Sequence, residues 1–273
     1  MRNWAEATIL VTGATDGLGK RVAIELAEMG ATVLIHGRNR ERLEAALSEI
    51  RGETGNEKPG SYLADLSSLG AVRALAEQII SDRDRLDVLV NNAGVIVGER
   101  EESEDGYELT FEVNYLSHFL LTRLLLPLLK DSAPARIVNV ASAGQSPIDF
   151  DDVMLERGYD GMRAYTQSKL AQIMFTFDLD ERLRGTGVTV NALHPASLMG
   201  TKMVLQTFGY TMSTVREGAE ATVRLATSPE LEGVTGRYFD GTREARANRQ
   251  AYEEEARKRL WALSEELCRK SEN

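Results

Sequence analysis

Cysteine is almost absent: Cys268 is the only one in 273 residues. An intrachain disulfide is therefore excluded, and a reducing, cytoplasmic setting is expected. Basic residues are in deficit, 32 Lys and Arg against 42 Asp and Glu, for a net charge of −10. That deficit excludes a nucleic-acid partner held by bulk electrostatics. Long apolar runs are also missing. The most apolar stretch, residues 119–130, is too short to span a bilayer and contains Arg123 and Pro127. No membrane association is expected, and no leader is visible before the chain enters its first strand pattern. Neither an internal repeat nor a metal site is expected.

The remaining composition, 42% hydrophobic, suffices for a substantial core. Short apolar strand patterns occur at 6–12, 31–37, 61–66, 86–94, 135–142, 187–195 and 236–241, with helical patterns between them. This alternation predicts an α/β fold in one domain: a doubly wound parallel sheet with helices on both faces. Residues 1–243 would form that domain. Residues 244–273, rich in Glu, Arg and Lys, read as a solvated C-terminal helical tail.

The first strand pattern, EATILVT, runs into GATDGLG and then into a helical pattern. Strand, glycine turn and helix in this order suit a pyrophosphate. Gly13, Gly17 and Gly19 allow a tight turn and close backbone approach, and the helix N-terminus offers free N–H groups. Further along, AYTQSKLAQ places Tyr165 and Lys169 four positions apart, on one face of a helix. A nearby ammonium favours the phenolate, so Lys169 is expected to pull the phenol below its ordinary value of about 10. A tyrosine so tuned can exchange a proton with a substrate oxygen. Either motif alone occurs by chance; it is their company that carries weight.

Four motifs in order, TGATDGLG, NNAG at 91–94, a serine after the fifth strand and YTQSK, resemble the short-chain dehydrogenase/reductase family. The resemblance runs from about residue 7 to residue 240. The VNYLSHFLLT and SKLAQ runs, with the 23-position spacing from Ser142 to Tyr165, are similar to its retinol-dehydrogenase-like branch. The resemblance implies a Rossmann-type fold and a catalytic group of Asn114, Ser142, Tyr165 and Lys169. Tyr165 would act as general acid or base and Ser142 would steady the substrate oxygen. Lys169 would hold the nicotinamide ribose, and Asn114 a water that links Lys169 to solvent.

Cofactor contacts implied by the resemblance are Gly13, Thr15, Asp16, Gly17, Leu18 and Gly19 in the turn, Asp65 and Leu66 after strand three, and Asn92, Ala93 and Gly94. Tyr165 and Lys169 belong to this set too, as do Pro195, Ala196, Leu198 and Thr201 after strand six. Two departures stand out: the family's Pro-Gly is here Pro195-Ala196, and Thr201 lies one position late. Strand two ends His36-Gly37-Arg38 with no acid at the turn. A guanidinium there suits a 2′-phosphate, so NADP(H) is expected over NAD(H), which stays possible. The expected activity interconverts an alcohol with an aldehyde or ketone. An idle NADP-binding regulator on the same fold is the alternative, although it would not need the complete catalytic set.

Residues 197–214 would form a flap over the substrate. Its Leu198, Met199, Met203, Val204, Leu205, Phe208 and Met212 either line a pocket for a lipophilic small molecule or pack the flap down. The helices at 116–129 and 168–183 are apolar on more than one face, which predicts a homodimer or homotetramer.

Overall fold

The structure is a computed structural model, and it describes residues 3–271. The outermost residues of the two predicted segments, 1–2 and 272–273, lie outside the described residues. The first half of the sheet comprises β1 (Thr8–Val11), β2 (Thr32–Gly37), β3 (Gly60–Leu63) and β4 (Val88–Asn91). It continues with β5 (Ala135–Val140), β6 (Val188–His194), β7 (Arg237–Asp240) and β8 (Arg243–Glu244). Their order is β3-β2-β1-β4-β5-β6-β7-β8. All neighbours are parallel except β7 and β8. The predicted doubly wound sheet is thus present; the short return strand β8 was not foreseen.

Alternation along the strands assigns residues to two cores. Ile9 and Val11 point to one cluster, with Val33, Ile35, Val88 and Val90. Leu10, Leu34 and Leu89 point to the other. Helices α1 (Gly17–Glu28), α2 (Arg40–Thr54) and α8 (Val215–Thr227) supply the first cluster. Helices α3 (Leu69–Asp82), α5 (Ser117–Asp131) and α6 (Gly161–Arg182) supply the second. A three-residue α4 (Leu109–Phe111) leads into α5 through a π turn at Glu112–Leu116. The short α7 (Lys202–Phe208) lies in the flap, and α9 (Glu254–Lys270) ends the described chain.

Local sequence explains the boundaries. Asp16, Asn39 and Asp160 accept backbone N–H groups at the starts of α1, α2 and α6, as short polar caps do. Thr214 and Glu217 form a reciprocal capping box on α8. Pro127 lies inside α5 without ending it; its position is exposed, so the carbonyl it frees can reach water.

The C-terminal segment departs from its predicted character. Helix α9 is not solvated all round: Leu260, Trp261, Ser264, Leu267 and Cys268 are buried at helical spacing. Trp261 packs edge-on against Phe119 at 5.0 Å and lies 5.9 Å from Phe175. The Arg182 guanidinium stacks 3.7 Å from the Trp261 ring. Ser264 meets the buried Tyr115 hydroxyl at 2.7 Å. Charge on the outer face hid this apolar stripe. The same helix covers the aromatic residues Phe119 of α5 and Phe175 of α6. Truncating Trp261→Ala should lower stability by about 3 kcal/mol, measured by denaturant unfolding. Sedimentation of the same variant should show more self-association than the parent, because the aromatic face loses part of its cover.

Candidate active site

β1 and β4 are neighbours whose chains leave the sheet towards opposite faces, which opens a crevice at their C-terminal ends. The glycine turn closes one side of it. Gly13 adopts φ +64°, and a Cβ there would lie 2.8 Å from the Ala93 Cα. At Gly19 a Cβ would meet Asn92 Nδ2 at 2.4 Å and the Gly13 carbonyl oxygen at 2.5 Å. Only glycine allows these approaches.

Three polar side chains brace the turn. Thr12 Oγ1 accepts the N–H groups of Asn92 at 2.9 Å and Ala93 at 3.0 Å. Asn92 Nδ2 donates to the carbonyls of Thr12 at 2.8 Å and Gly13 at 3.2 Å. His36 Nδ1 accepts the Gly13 N–H at 3.3 Å, and its Nε2 lies 3.1 Å from the Ala64 carbonyl. An accepting Nδ1 puts the ring proton on Nε2. Burial keeps this imidazole neutral by pushing its pKa down to about 4.

The crevice holds a cleft of about 470 Å³. Of the predicted contacts, Gly13, Thr15, Asp16, Gly17, Leu18 and Gly19 line it, as do Arg38, Asp65, Leu66, Asn92, Ala93 and Gly94. Tyr165, Lys169 and Thr201 line it too. Pro195, Ala196 and Leu198 do not. Pro195 instead backs onto Gly218 in α8. Leu198 takes φ 43°, so the loop after β6 follows a path that the missing family glycine left unreadable. A hollow of about 1100 Å³, lined by Ala135, Val188 and Arg184 among others, sits where β5 and β6 begin. It contains none of the predicted site residues.

Helix α6 presents Tyr165 and Lys169 one turn apart. Lys169 Nζ lies 5.5 Å from the Tyr165 ring centroid, and it donates to the Val140 carbonyl and to Gln172 Oε1, both at 2.9 Å. Ser142, just after β5, accepts the Gly144 N–H through its Oγ at 3.1 Å, and its hydroxyl works against the rise in the Tyr165 pKa. Asn114 sits in the π turn beneath the cleft. Its Oδ1 accepts the Val95 N–H at 2.7 Å, and its Nδ2 donates to the Val95 carbonyl and to Ser168 Oγ, both at 3.0 Å.

The predicted electrostatics of the pair need correction. Burial raises the Tyr165 phenol above its ordinary value, and the opposing influence is the Ser142 hydroxyl, not Lys169. Burial also drives the Lys169 amine down to about 7. It donates to a carbonyl and an amide rather than a carboxylate, so little offsets the loss of water.

Several residues escaped the sequence reading. Arg42, one turn into α2, lines the cleft with Arg38. Lys202 pairs with Asp16 at 2.8 Å and holds that carboxyl below its usual range. The visible signal for Arg42 was the run Arg38, Arg40, Arg42 at every second position. Thr12, His118 and Gln172 are buried polar residues; each interrupts an otherwise apolar pattern. The long stretch before Tyr165 clasps the site from outside. The Tyr159 hydroxyl donates to the Val97 carbonyl at 3.2 Å, and Gln250 Nε2 donates to the Ile148 carbonyl at 3.1 Å. In the flap, Met199 and Met203 line the cleft and Val204 is buried. Leu205, Phe208 and Met212 are exposed and fit neither reading.

Comparison with known proteins agrees with this geometry. The family model for short chain dehydrogenase matches residues 7–208. Retinol dehydrogenase 13 of Mus musculus is 43% identical over 277 residues, covering 95% of this chain and 83% of the relative. Among solved structures, an uncharacterized protein from Mycobacterium Paratuberculosis superposes with a TM-score of 0.81 at 30% identity, covering 98% of this chain and 96% of its own. A short chain dehydrogenase from Escherichia coli CFT073 complexed with NADPH gives a TM-score of 0.72 at 28% identity, covering 86% of this chain and 96% of its own.

Two outcomes follow for stability. Gly13→Ala should destabilise the fold by about 2 kcal/mol or more, from the positive φ and the Ala93 contact, read by chemical denaturation. The second concerns Lys169, whose pKa falls from 10.5 to about 7 on folding. Between those values the unfolded chain binds the extra proton, so the amine's contribution favours folding more as pH rises. Unfolding of the parent and of Lys169→Met across that range should show the difference moving in the parent's favour as pH increases. A constant difference would refute the depressed amine.

Proposed function

The chain belongs to the short chain dehydrogenase family, oxidoreductases acting on CH–OH groups, and from that premise we propose that it interconverts an alcohol with an aldehyde or ketone using NADP(H). One observation carries the reading: Tyr165 and Lys169, one turn apart on α6, line a cleft built on a glycine turn. The cradle suits a dinucleotide. Side chains at Gly13 or Gly19 would collide with backbone or Asn92, and the first turn of α1 offers N–H groups for a pyrophosphate. Gly13 to Gly19 would hold that group. Asp65 and Leu66 would take the adenine, with Asn92, Ala93 and Gly94 along the middle. Pro195, Ala196, Leu198 and Thr201 would stand near the nicotinamide end.

Arg38 and Arg42 favour the 2′-phosphate, since paired guanidinium groups match phosphate oxygens. Asp16, whose charge would oppose a phosphate, is already paired with Lys202. When bound, the cofactor supplies or accepts the hydride. The chain's own residues then manage the proton. Tyr165 gives it to the nascent alkoxide oxygen or takes it from the alcohol. Ser142 donates a hydrogen bond to the same oxygen. Lys169 holds the ribose hydroxyls, and Asn114 holds a water on the path to solvent. Met199 and Met203 at the cleft favour a lipophilic substrate, in keeping with the name of the retinol dehydrogenase relative. For location we propose the cytoplasm, a reducing setting that suits a chain whose one cysteine, Cys268, is a free thiol. Among the described residues no helix is long and apolar enough to cross a membrane.

The test is NADPH absorbance on mixing with a panel of aldehydes and ketones, alongside Tyr165→Phe. Turnover should fall about 10²–10⁴-fold in the variant while NADPH binding persists. Turnover that survives would end the proposed proton path, and NADPH binding with no turnover on any substrate would favour an idle binder. Arg38→Asp should weaken NADPH binding about tenfold or more, equivalent to at least ~1.4 kcal/mol, and leave NADH binding nearly unchanged. Equal losses for both would remove the case for NADP preference.

A further inference from the structure

Below the cleft, a chain of buried polar groups connects helix α6 to the glycine turn. It starts at Lys169 Nζ, which donates to Gln172 Oε1 at 2.9 Å. Gln172 Nε2 lies 3.1 Å from His118 Nδ1. His118 Nε2 lies 3.3 Å from Thr12 Oγ1. Thr12 Oγ1 in turn accepts the amides of Asn92 and Ala93. Lys169, Gln172, His118 and Thr12 are all buried.

The chemistry of each group fixes the direction of the chain. An amine donor at Lys169 requires the amide oxygen of Gln172, which turns its NH₂ towards His118. His118 Nδ1 must then accept, so the ring proton sits on Nε2 and points to Thr12. An imidazolium would set an N–H against the amide NH₂, and burial with the nearby Lys169 keeps the ring neutral by pushing its pKa to about 3. The Asn114 backbone works the other way, favouring a proton on this ring. Thr12 already receives two backbone amides, so the contact from Nε2 is the loosest of the series. The titratable groups around the chain are Tyr165 on Lys169's own helix, His118 on α5, and His36 on β2, whose charge would disfavour a proton on His118. The β5 end contributes the Val140 carbonyl, and the loop after β4 contributes Gly94, where a Cβ would lie 3.6 Å from Nζ.

We propose that Gln172 and His118 are positioning residues that fix the Lys169 amine as a hydrogen-bond donor and couple it to the strand ends that hold the glycine turn. The meaning of that amine for catalysis rests on the reading of the site given above; the hydrogen-bond polarity does not. Neutral partners suit the task. A carboxylate at 172 would hold Lys169 fully charged, and an apolar side chain would leave Val140 as the acceptor. Gln172 holds the amine between those extremes.

The experiment uses the full chain without cofactor, labelled at lysine with ¹³C and at histidine with ¹⁵N. The Lys169 Cε signal is assigned by its absence in Lys169→Met, and the His118 ring by its absence in His118→Gln. In the parent, the ring should show the Nε2–H tautomer. Gln172→Glu should raise the Lys169 titration midpoint by about one pH unit and move the ring proton to Nδ1, while Gln172→Leu should lower the midpoint by about as much. Shifts of opposite sign are not what a merely structural role would give. A parent ring with its proton on Nδ1, or midpoints that stay put or move together, would overturn the proposal. If Gln172→Leu does not fold, the isosteric Glu variant alone decides by the same criteria. Should the parent show no turnover with any carbonyl substrate, the proposed function fails, yet these titrations still decide the present inference.

Discussion

The contact between the glycine turn and the loop after β4 governs the site. Gly13 lies so close to Ala93 that no side chain fits between them, and Thr12 locks the approach with one hydroxyl that receives two amides. β1 and β4 share the sheet centre, yet their chains leave towards opposite faces. The cleft exists because those departures are held at a fixed separation. The direction of α1, and therefore of its free N–H groups, follows from the same turn. His36 adds a tie from β2 by accepting the Gly13 N–H. The binding floor is thus a product of sheet topology and three polar side chains, Thr12, His36 and the half-buried Asn92, not of adaptable loops.

Polar groups in this core are satisfied mainly by neutral partners. Asn91 Nδ2 donates to Thr122 Oγ1 at 2.9 Å and to Asn139 Oδ1 at 2.8 Å, and Asn139 Nδ2 donates to Thr176 Oγ1 at 2.8 Å. Lys169 joins this interior with a carbonyl and an amide. An amine so placed loses hydration without gaining a counter-charge, so burial sets its basicity. It can then change protonation near neutrality, where an exposed lysine could not. Tyr165 lies at the boundary of the same region, where loss of water holds its proton on and Ser142 loosens it. The two groups are poised by their surroundings more than by each other.

Much of this was legible in the sequence because periodicity and backbone chemistry are local. The alternation of short apolar strands with helices gave the sheet, and Gly13, Gly17 and Gly19 marked a turn whose reason is steric. Tyr165 and Lys169 share a face because they stand four apart on one helix. What escaped depends on long-range packing. His118 and Thr12 are 106 positions apart, yet their side chains meet at 3.3 Å; no local pattern announces such a contact. Helix α9 was misjudged because its outward charges dominate its composition, while the stripe around Trp261 became meaningful only once α5 and α6 were beside it. Lys169 was expected to lower the Tyr165 pKa by its charge, but burial, which a sequence does not display, dominates and raises it.

The loop after β6 shows how a local departure is absorbed. A glycine where Ala196 stands would have allowed positive φ there; instead Leu198 takes it, at 43°, a conformation that costs an ordinary residue about 1–2 kcal/mol. Neighbouring bonds hold it in place. The Met212 N–H donates to the Leu198 carbonyl at 3.0 Å, the Gly200 N–H donates to the Ser213 carbonyl at 3.2 Å, and Met199 forms a parallel bridge with Ser213. These ties close the two ends of the flap on each other, and Thr201 caps α7 through the Val204 N–H. The base of the flap is therefore fixed by backbone, with Met199 and Met203 turned to the cleft and Leu205, Tyr210 and Met212 turned to solvent. A loop constrained at its root and apolar on both surfaces can change at its tip without disturbing the turn, the tyrosine or the lysine.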